Sequence, residues 1–519
     1  MPGPASDPYR SFHAIVAENA RRWPERVYVH CIDQVKSLTY GQLYPLTNRI
    51  ARFLKGEGVG ANDRVLLLAE NSVETFAVFV GALRHGATLA TVHVEMNRAH
   101  LAEIVAAVAP KIVLYQEGLG LETLRDDIWL PLGEWQPGCG STGFFGTIEN
   151  LSENNDIPSC AAPDDHGVIF YTSGTVAKPK GVIQTHATAF YNYDATADYL
   201  GLGPGDRVLD CRSYSWLSAQ HMSLGAPLVA GATTIMARHF SQSRYFDWLR
   251  EHEIHIGFVV PTMVSMLLSR PHAAKGTDLP HLRFLTSSSA PLLEEQWRRF
   301  EETYGITLCQ SCGSSEGGNT AAHRGAARKI GTIGPPQKYQ DIRIVDRDGA
   351  ALPPGGTGEI VVGGGRQQAF GYLLPDGTIE RLPRDGHHTG DLGFFDADGH
   401  LHITGRVKEL IIRGGMNIAP LEVDAVLVAH PRILEAGTIG VPHPIYGEEV
   451  VAYVACAPGA VPSVEEIKRH CAMRLPEAKM PKAIYLIDAL PKNVRGKLDR
   501  GALDAHYRDH YAASAEWAA

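Results

Sequence analysis

Residues 170–182 read FYTSGTVAKPKGV: an apolar, aromatic run feeds into hydroxyls and glycines and ends on Lys178, Pro179, Lys180 and Gly181. A loop of that composition turns backbone N–H groups, hydroxyl donors and ammonium charge toward one point, as a polyphosphate requires. The G-x-x-x-x-G-K-[ST] spacing of a Walker loop is absent, and a solvated turn with two surface lysines is the plain alternative. Three other patterns carry less. GCGSTG at 138–143 has dinucleotide-fingerprint spacing, yet it follows Gln136-Pro137 in a loop where a strand is needed. Cys309 and Cys312 form a C-x-x-C with no second ligand pair to complete a zinc site. GSSEG at 313–317 fits the G-x-S-x-G elbow, which would make Ser315 a hydrolase nucleophile. That elbow needs a helix directly after the serine, and GGNTAAHRG is a poor helix start, so the serine hydrolase stands as an alternative on the elbow alone.

These residues need elements to hold them. Residues 65–69 read as a buried strand, 73–83 carry Phe76, Val80 and Leu83 at helical spacing, and 88–92 read as another strand. Leu101, Ile104, Val105 and Val108 make a helical stripe before the strand-like 112–115. Such alternation predicts an α/β protein with layered, mainly parallel sheets covered by helices. Residues 133–165, rich in Gly, Pro, Ser and Asn, read as a surface loop leading into a strand at 168–171. After Gly331 short strands and turn signals predict a small β-rich subdomain, including a hairpin at Asp398-Gly399. From 407 the chain starts afresh, with a helix at 420–428, strands at 438–441 and 450–456 and a helix at 464–475: a compact α+β unit. The expected domains are therefore a large amino-terminal one, 1–406, built of several subdomains, and a small carboxy-terminal one, 407–519.

Composition bounds the function. The 519 residues carry 48 Lys and Arg against 57 Asp and Glu, a formal charge of −9, and 44% are hydrophobic. That excludes a disordered or collagenous chain, and without a basic face it weighs against a nucleic-acid partner. Eight scattered cysteines make no disulfide framework and suggest reduced thiols in a cytoplasm. No apolar window of about 18 residues occurs, no signal-like h-region opens the chain and AEWAA is no peroxisomal address, so a cytoplasmic protein with no integral membrane segment is expected.

The phosphate-binding candidate has company. SSSAP at 287–291, CGSSE at 312–316, HTGD at 388–391, GRVKELIIRGGMNIAPLEVD at 405–424 and LPKNVRGKLDR at 490–500 recur in the order and approximate spacing of the adenylate-forming superfamily. Together with the loop at 170–182, the chain from about residue 35 to residue 500 resembles that family, which includes acyl-CoA synthetases, luciferase and peptide-synthetase adenylation domains. The resemblance implies that a small carboxylic acid attacks the α-phosphate of Mg-ATP, giving an acyl-adenylate and pyrophosphate. A thiol, usually that of coenzyme A, then displaces AMP. A ligase loading a separate carrier protein is the alternative, although no carrier-like segment follows residue 500. A homodimer is compatible with either.

The same resemblance assigns roles. Thr172, Ser173, Gly174, Thr175 and Lys180 would hold the β- and γ-phosphates; Glu316 would ligate Mg²⁺, a hard oxygen for a hard cation, and Ser315 would hydrogen-bond the α-phosphate. Ser288, Ser289, Ala290, Cys312 and Gly313 would surround the adenine, and Asp391 would accept the ribose hydroxyls with Arg406 as a nearby donor. Lys497 matches the family's catalytic lysine, whose ammonium stabilises charge between carboxylate and α-phosphate. Lys408 falls at the hinge about which the carboxy-terminal domain moves, and Gly414 and Gly415 at the pantetheine tunnel. Three departures stand out: TVA replaces TTG at 175–177, Cys312 stands where an aromatic residue usually stacks on adenine, and Ser288-Ser289 replaces a Gly-rich pair. For the acyl pocket the segment 210–227, the GFVVPTM strand and the turn 287–290 are expected, with Tyr214, Trp216 and His221 as lining residues. Trp216 takes the place of the relatives' pocket aromatic or histidine. Two aromatics favour a compact or aromatic acyl group over a lipid tunnel, and Arg212 with His221 are candidates to meet a second anionic group.

Overall fold

The computed structural model describes residues 8–119, 128–153, 156–171, 180–325, 327–457, 459, 461–493 and 496–512. Two eight-stranded sheets form its body. In the first the order is Gly318–Ala322, Leu308–Ser314, Phe284–Ser287, Ile256–Val259, Arg207–Asp210, Thr233–Met236, Val27–Cys31 and Lys36–Thr39. Its inner strands run parallel, and only the outermost strand at each end is antiparallel. In the second the order is Ile379–Arg381, Gly371–Leu373, Gly181–Thr185, His166–Tyr171, Thr88–Thr91, Arg64–Leu68, Ile112–Tyr115 and Trp129–Pro131. It is parallel from His166–Tyr171 onward and antiparallel on the other side.

Parallel neighbours need crossover helices, which cover the sheet faces. Helix Val73–His85 is begun by the Ser72 side chain, which accepts from Thr75 N–H, and ended by Gly86 at φ 105. Every one of its residues is buried, because it is wedged between the two sheets. One core accordingly joins Val29 and Met236 of the first sheet to Val65, Leu89 and Val168 of the second through Phe76, Phe79 and Leu83. Burying each such side chain contributes about 1.5–3 kcal/mol relative to exposure.

The β-rich segment expected after Gly331 divides. Strands Asp341–Val345, Gly358–Gly363, His387–Phe395 and Leu401–Arg406 make their own antiparallel sheet, turned at Asp398-Gly399. Gly371–Leu373 and Ile379–Arg381 instead extend the second large sheet. After Arg406 a single 3₁₀ turn, Val407–Glu409, leads to Ile411–Arg413, the start of a five-stranded sheet. That sheet has separate cores around Ile418, Val423, Val450 and Ile467 and around Tyr453, Leu503 and Tyr507. The helix expected at 420–428 is Pro420–Val428, with proline in the first turn where its missing N–H costs nothing. One local reading needs correcting: the stretch read as loop from 133 holds a short helix, Gly143–Ile148, with Phe144 and Phe145 buried. Its six residues are too few to show a period. Among the described residues no helix is long and apolar enough to cross a membrane.

Candidate active site

In open α/β sheets ligands bind outside the carboxyl ends of parallel strands. At that edge of the first sheet Asp210 leads into the segment with Tyr214 and Trp216, Val259 into helix Pro261–Ser269, and Ser287 into Ser288, Ser289 and Ala290. Leu308–Ser314 carries Cys312 and Gly313 to the same edge. At the matching edge of the second sheet Tyr171 closes its strand, and Gly181 opposite it starts the next. Thr172, Ser173, Gly174 and Thr175 lie outside the described residues; Lys180 is described and exposed.

Ser315 and Glu316 occupy the turn of an antiparallel hairpin between Leu308–Ser314 and Gly318–Ala322. The Ser314 hydroxyl accepts from Gly317 N–H at 2.8 Å and tightens that turn. A strand follows Ser315, not a helix, so the nucleophile elbow is absent and the hydrolase alternative falls. The Glu316 backbone carbonyl accepts from Ala369 N–H at 2.7 Å. Its carboxylate accepts from the Tyr372 hydroxyl at 2.9 Å, while His387 Nε2 stands 3.8 Å from the other oxygen. Lys180 Nζ lies 5.3 Å from the centre of the Tyr372 ring. Burial, reinforced by the Glu316 carboxylate, pushes the Tyr372 phenol up and keeps it a donor. Burial also lowers the pKa of His387, against the pull of Glu316.

Asp391 and Arg406 face each other across the antiparallel pair His387–Phe395 and Leu401–Arg406, with Arg406 Nε 2.8 Å from Asp391 Oδ1. Burial raises the Asp391 carboxyl above its ordinary value, opposed by the charges of Arg406 and Lys497. The Cys312 thiol, half-buried, is pushed up to about 12 by burial first and by Asp391 second, so it is no thiolate nucleophile. Lys497 thus comes within electrostatic reach of both Asp391 and Cys312, far though it is along the chain. Among the described contacts of this loop is a hydrogen bond from Thr262 Oγ1, on helix Pro261–Ser269, to the Gly496 carbonyl at 2.5 Å. Lys497 N–H in turn donates to Asn493 Oδ1 at 3.1 Å.

The expected acyl segments are also brought together, by Arg212. Its guanidinium pairs with Asp210 through Nε at 2.9 Å and Nη2 at 2.8 Å. Nη1 donates to Ser288 Oγ at 2.9 Å and Ser218 Oγ at 3.3 Å, and the group lies 5.2 Å from the Phe258 ring centre. With Asp210 neutralising it and its donors so engaged, Arg212 ties the three walls together instead of meeting a second anion. Ser289 has φ 75, the left-handed region that glycine adopts at least cost. Tyr214 is buried edge-on to Phe79 at 6.5 Å, and Trp216 is half-buried. His221 sits in a π-helix, Gln220–Gly225, a distortion frequent at functional sites. Burial drives its pKa down to about 3, against a side-chain hydrogen bond with Asn319, so it is neutral, and its Nε2 lies 3.3 Å from Gln184 Oε1.

Lys408 is exposed in the 3₁₀ turn after Arg406, and the neighbouring Glu409 accepts from Arg500 Nε at 3.2 Å. Gly414 and Gly415, at φ 57 and 83, turn an exposed hairpin between Ile411–Arg413 and Met416–Ile418, with Tyr446 beside Gly414. Sequence reasoning passed over Tyr372 and His387, and took Thr262 only as part of the GFVVPTM strand, whose last three residues instead begin helix Pro261–Ser269. The first two sit in or beside the motif-bearing strands, but nothing in their spacing tells that they converge on Glu316.

A family model described as AMP-binding enzyme matches residues 16–373, and one described as AMP-binding enzyme C-terminal domain matches residues 422–497. The sulfoacetate–CoA ligase of Cupriavidus necator is 34% identical, over 95% of this chain and 97% of its own. ScoC of Streptomyces coeruleorubidus, a fatty acid–[acyl-carrier-protein] ligase, is 30% identical over 90% and 91%. The crystal structure of ATP-bound MatB from Rhodopseudomonas palustris, 26% identical, matches with a TM-score of 0.86 over 96% of this chain and 99% of its own; the apo form of MatB gives 0.79. A family model spanning well over half the sequence and relatives matched nearly end to end place the conclusion beyond fold: the chain belongs to the AMP-binding enzymes, as one of that family's acid–thiol ligases.

Proposed function

We propose that the protein activates a compact carboxylic acid with ATP to an acyl-adenylate, releasing pyrophosphate, and then passes the acyl group to coenzyme A with release of AMP. The observation that supports this reading is the lysine loop: Thr262 donates to the Gly496 carbonyl, and the charge of the next residue, Lys497, acts on Asp391, the partner of Arg406. There the Lys497 ammonium is in place to stabilise the charge that accumulates as the acid attacks the α-phosphate. Asp391 holds the ribose, Lys180 faces the pyrophosphate leaving group, and Ser288 to Ala290 border the adenine.

Among the described residues no group of three His, Cys, Asp or Glu side chains converges to cage a metal. A single carboxylate, Glu316, fits Mg²⁺, which is commonly held by one or two carboxylates together with substrate phosphates and water. When bound, Mg²⁺ neutralises charge on the phosphate oxygens. Residues 1–406 and 407–519 act as two domains in this reading, joined at Lys408, and the carboxy-terminal one leaves its docked position before thioester formation. The buried Tyr214 and half-buried Trp216 support a compact acyl group, and the relative named for sulfoacetate supports a small acid. Free coenzyme A is preferred over a carrier protein on the stronger of the two relatives.

The test is a pyrophosphate-release screen over short, medium, dicarboxylic, sulfonated and aryl acids, with coenzyme A, with a carrier protein and with neither. Acid-dependent release and an acyl-CoA product are expected from a small acid. Silence across every class refutes the reading, and a product only on the carrier protein transfers it to the alternative acceptor.

A further inference from the structure

The Glu316 carboxylate is held unevenly. Oε1 accepts from the Tyr372 hydroxyl at 2.9 Å, whereas Oε2 faces His387 at 3.8 Å, beyond hydrogen-bond distance. The face of the same tyrosine ring receives Lys180, whose ammonium lies 5.3 Å from its centre. Tyr372 is the middle residue of Gly371–Leu373, and its neighbours on that strand are buried while it is only partly so. The strand pairs with Gly181–Thr185, Tyr372 opposite Val182, so the tyrosine stands one strand across from the backbone that carries Lys180.

We infer that Tyr372 is a positioning residue that couples the metal-binding carboxylate to the phosphate-binding lysine: its hydroxyl fixes Glu316 with Oε2 toward the cation, and its ring orients Lys180 beside the same phosphates. The inference rests on the reading of Glu316 as the Mg²⁺ ligand. A free glutamate samples several rotamers, and a donor on one oxygen removes that freedom from the other, which is how outer partners of metal ligands act. The ring and the hydroxyl do separate jobs, so two substitutions separate them. Tyr372→Phe keeps the ring over Lys180 and loses only the bond to Glu316; Tyr372→Leu loses both.

The probe is Mn²⁺, titrated with the full chain and a non-hydrolysable ATP analogue and followed by the electron paramagnetic resonance of the free ion. Binding of the analogue alone, in chelator, is measured beside it. Tyr372→Phe is expected to weaken Mn²⁺ binding about tenfold and to leave metal-free nucleotide binding and the melting temperature unchanged. Tyr372→Leu is expected to weaken metal-free nucleotide binding as well, by about two- to fivefold. Wild-type Mn²⁺ affinity in Tyr372→Phe, with that of Glu316→Gln lost, overturns the inference and spares the metal assignment. Wild-type Mn²⁺ affinity in Glu316→Gln overturns both. A lowered melting temperature in Tyr372→Phe without a change in Mn²⁺ affinity marks a merely structural tyrosine and also overturns it.

Discussion

Arg299→Ala should unbalance the two half-reactions. Arg299, on helix Glu294–Tyr304, donates from Nη1 to the Ile433 carbonyl at 3.1 Å and from Nη2 to the Val428 carbonyl at 3.3 Å. With Gln296 Nε2 to Leu434 O at 2.9 Å and Thr262 to Gly496, these bonds tie the helices beside the first sheet to the carboxy-terminal unit. A hydrogen bond from a charged donor contributes about 1.5–3 kcal/mol when buried. The Arg299 side chain is 20% exposed and one bond is long, so about 1–2 kcal/mol for the pair is the better figure. On the proposed movement of the carboxy-terminal unit, that energy is present only while the units are docked, and its loss lowers the docked-to-undocked ratio about 5- to 30-fold. Adenylate formation, followed by pyrophosphate exchange, should fall relative to thioester formation from preformed acyl-adenylate by up to that factor. Thr262→Val should act in the same direction. The reasoning is refuted if both half-reactions fall equally at an unchanged melting temperature, or if neither moves.

Lys497→Ala should abolish adenylate formation while thioester formation from supplied acyl-adenylate survives; equal loss in the two assays removes Lys497 from its role. Ser289 pays for its left-handed backbone, so Ser289→Gly should be neutral or stabilising, whereas β-branched Ser289→Val should cost about 2 kcal/mol or more in denaturant unfolding. Indistinguishable Gly and Val variants count against strain at that turn. The His323 imidazole is lowered to about 4, by burial first. The unfolded chain therefore binds a proton below its ordinary value near 6.5 that the folded chain refuses until about pH 4, and stability falls as pH drops through that window. His323→Gln should lessen the slope there by up to about 1.4 kcal/mol per pH unit; an unchanged slope refutes the assignment.

Much of the layered architecture was legible because parallel strands and their covering helices write their periods and caps into local sequence. The strand at 112–115 and the helix at 420–428 occur at their expected bounds. The serine hydrolase alternative was not decidable at that level. GSSEG can open a helix or turn a hairpin, and pairing of Gly318–Ala322 with the preceding strand chose the hairpin. The short helix Gly143–Ile148 was hidden for a similar reason, since one and a half turns show no period while Phe144 and Phe145 find their core only in three dimensions.

The residue types needed for adenylation chemistry, hydroxyls and glycines for phosphate, a carboxylate for a hard cation, a lysine for developing charge, are determined by the sequence alone because they lie within short motifs whose backbone is locally constrained. Their convergence is tertiary. Tyr372 reaches Glu316 across 56 positions, and Thr262 meets Gly496 across 234. Strand order and the docking of the last unit decide these contacts, and the energies that favour them come from cores and interfaces spread over the whole chain. No local pattern encodes that sum, so the partners that hold the chemistry in place become visible only when the sheets are assembled.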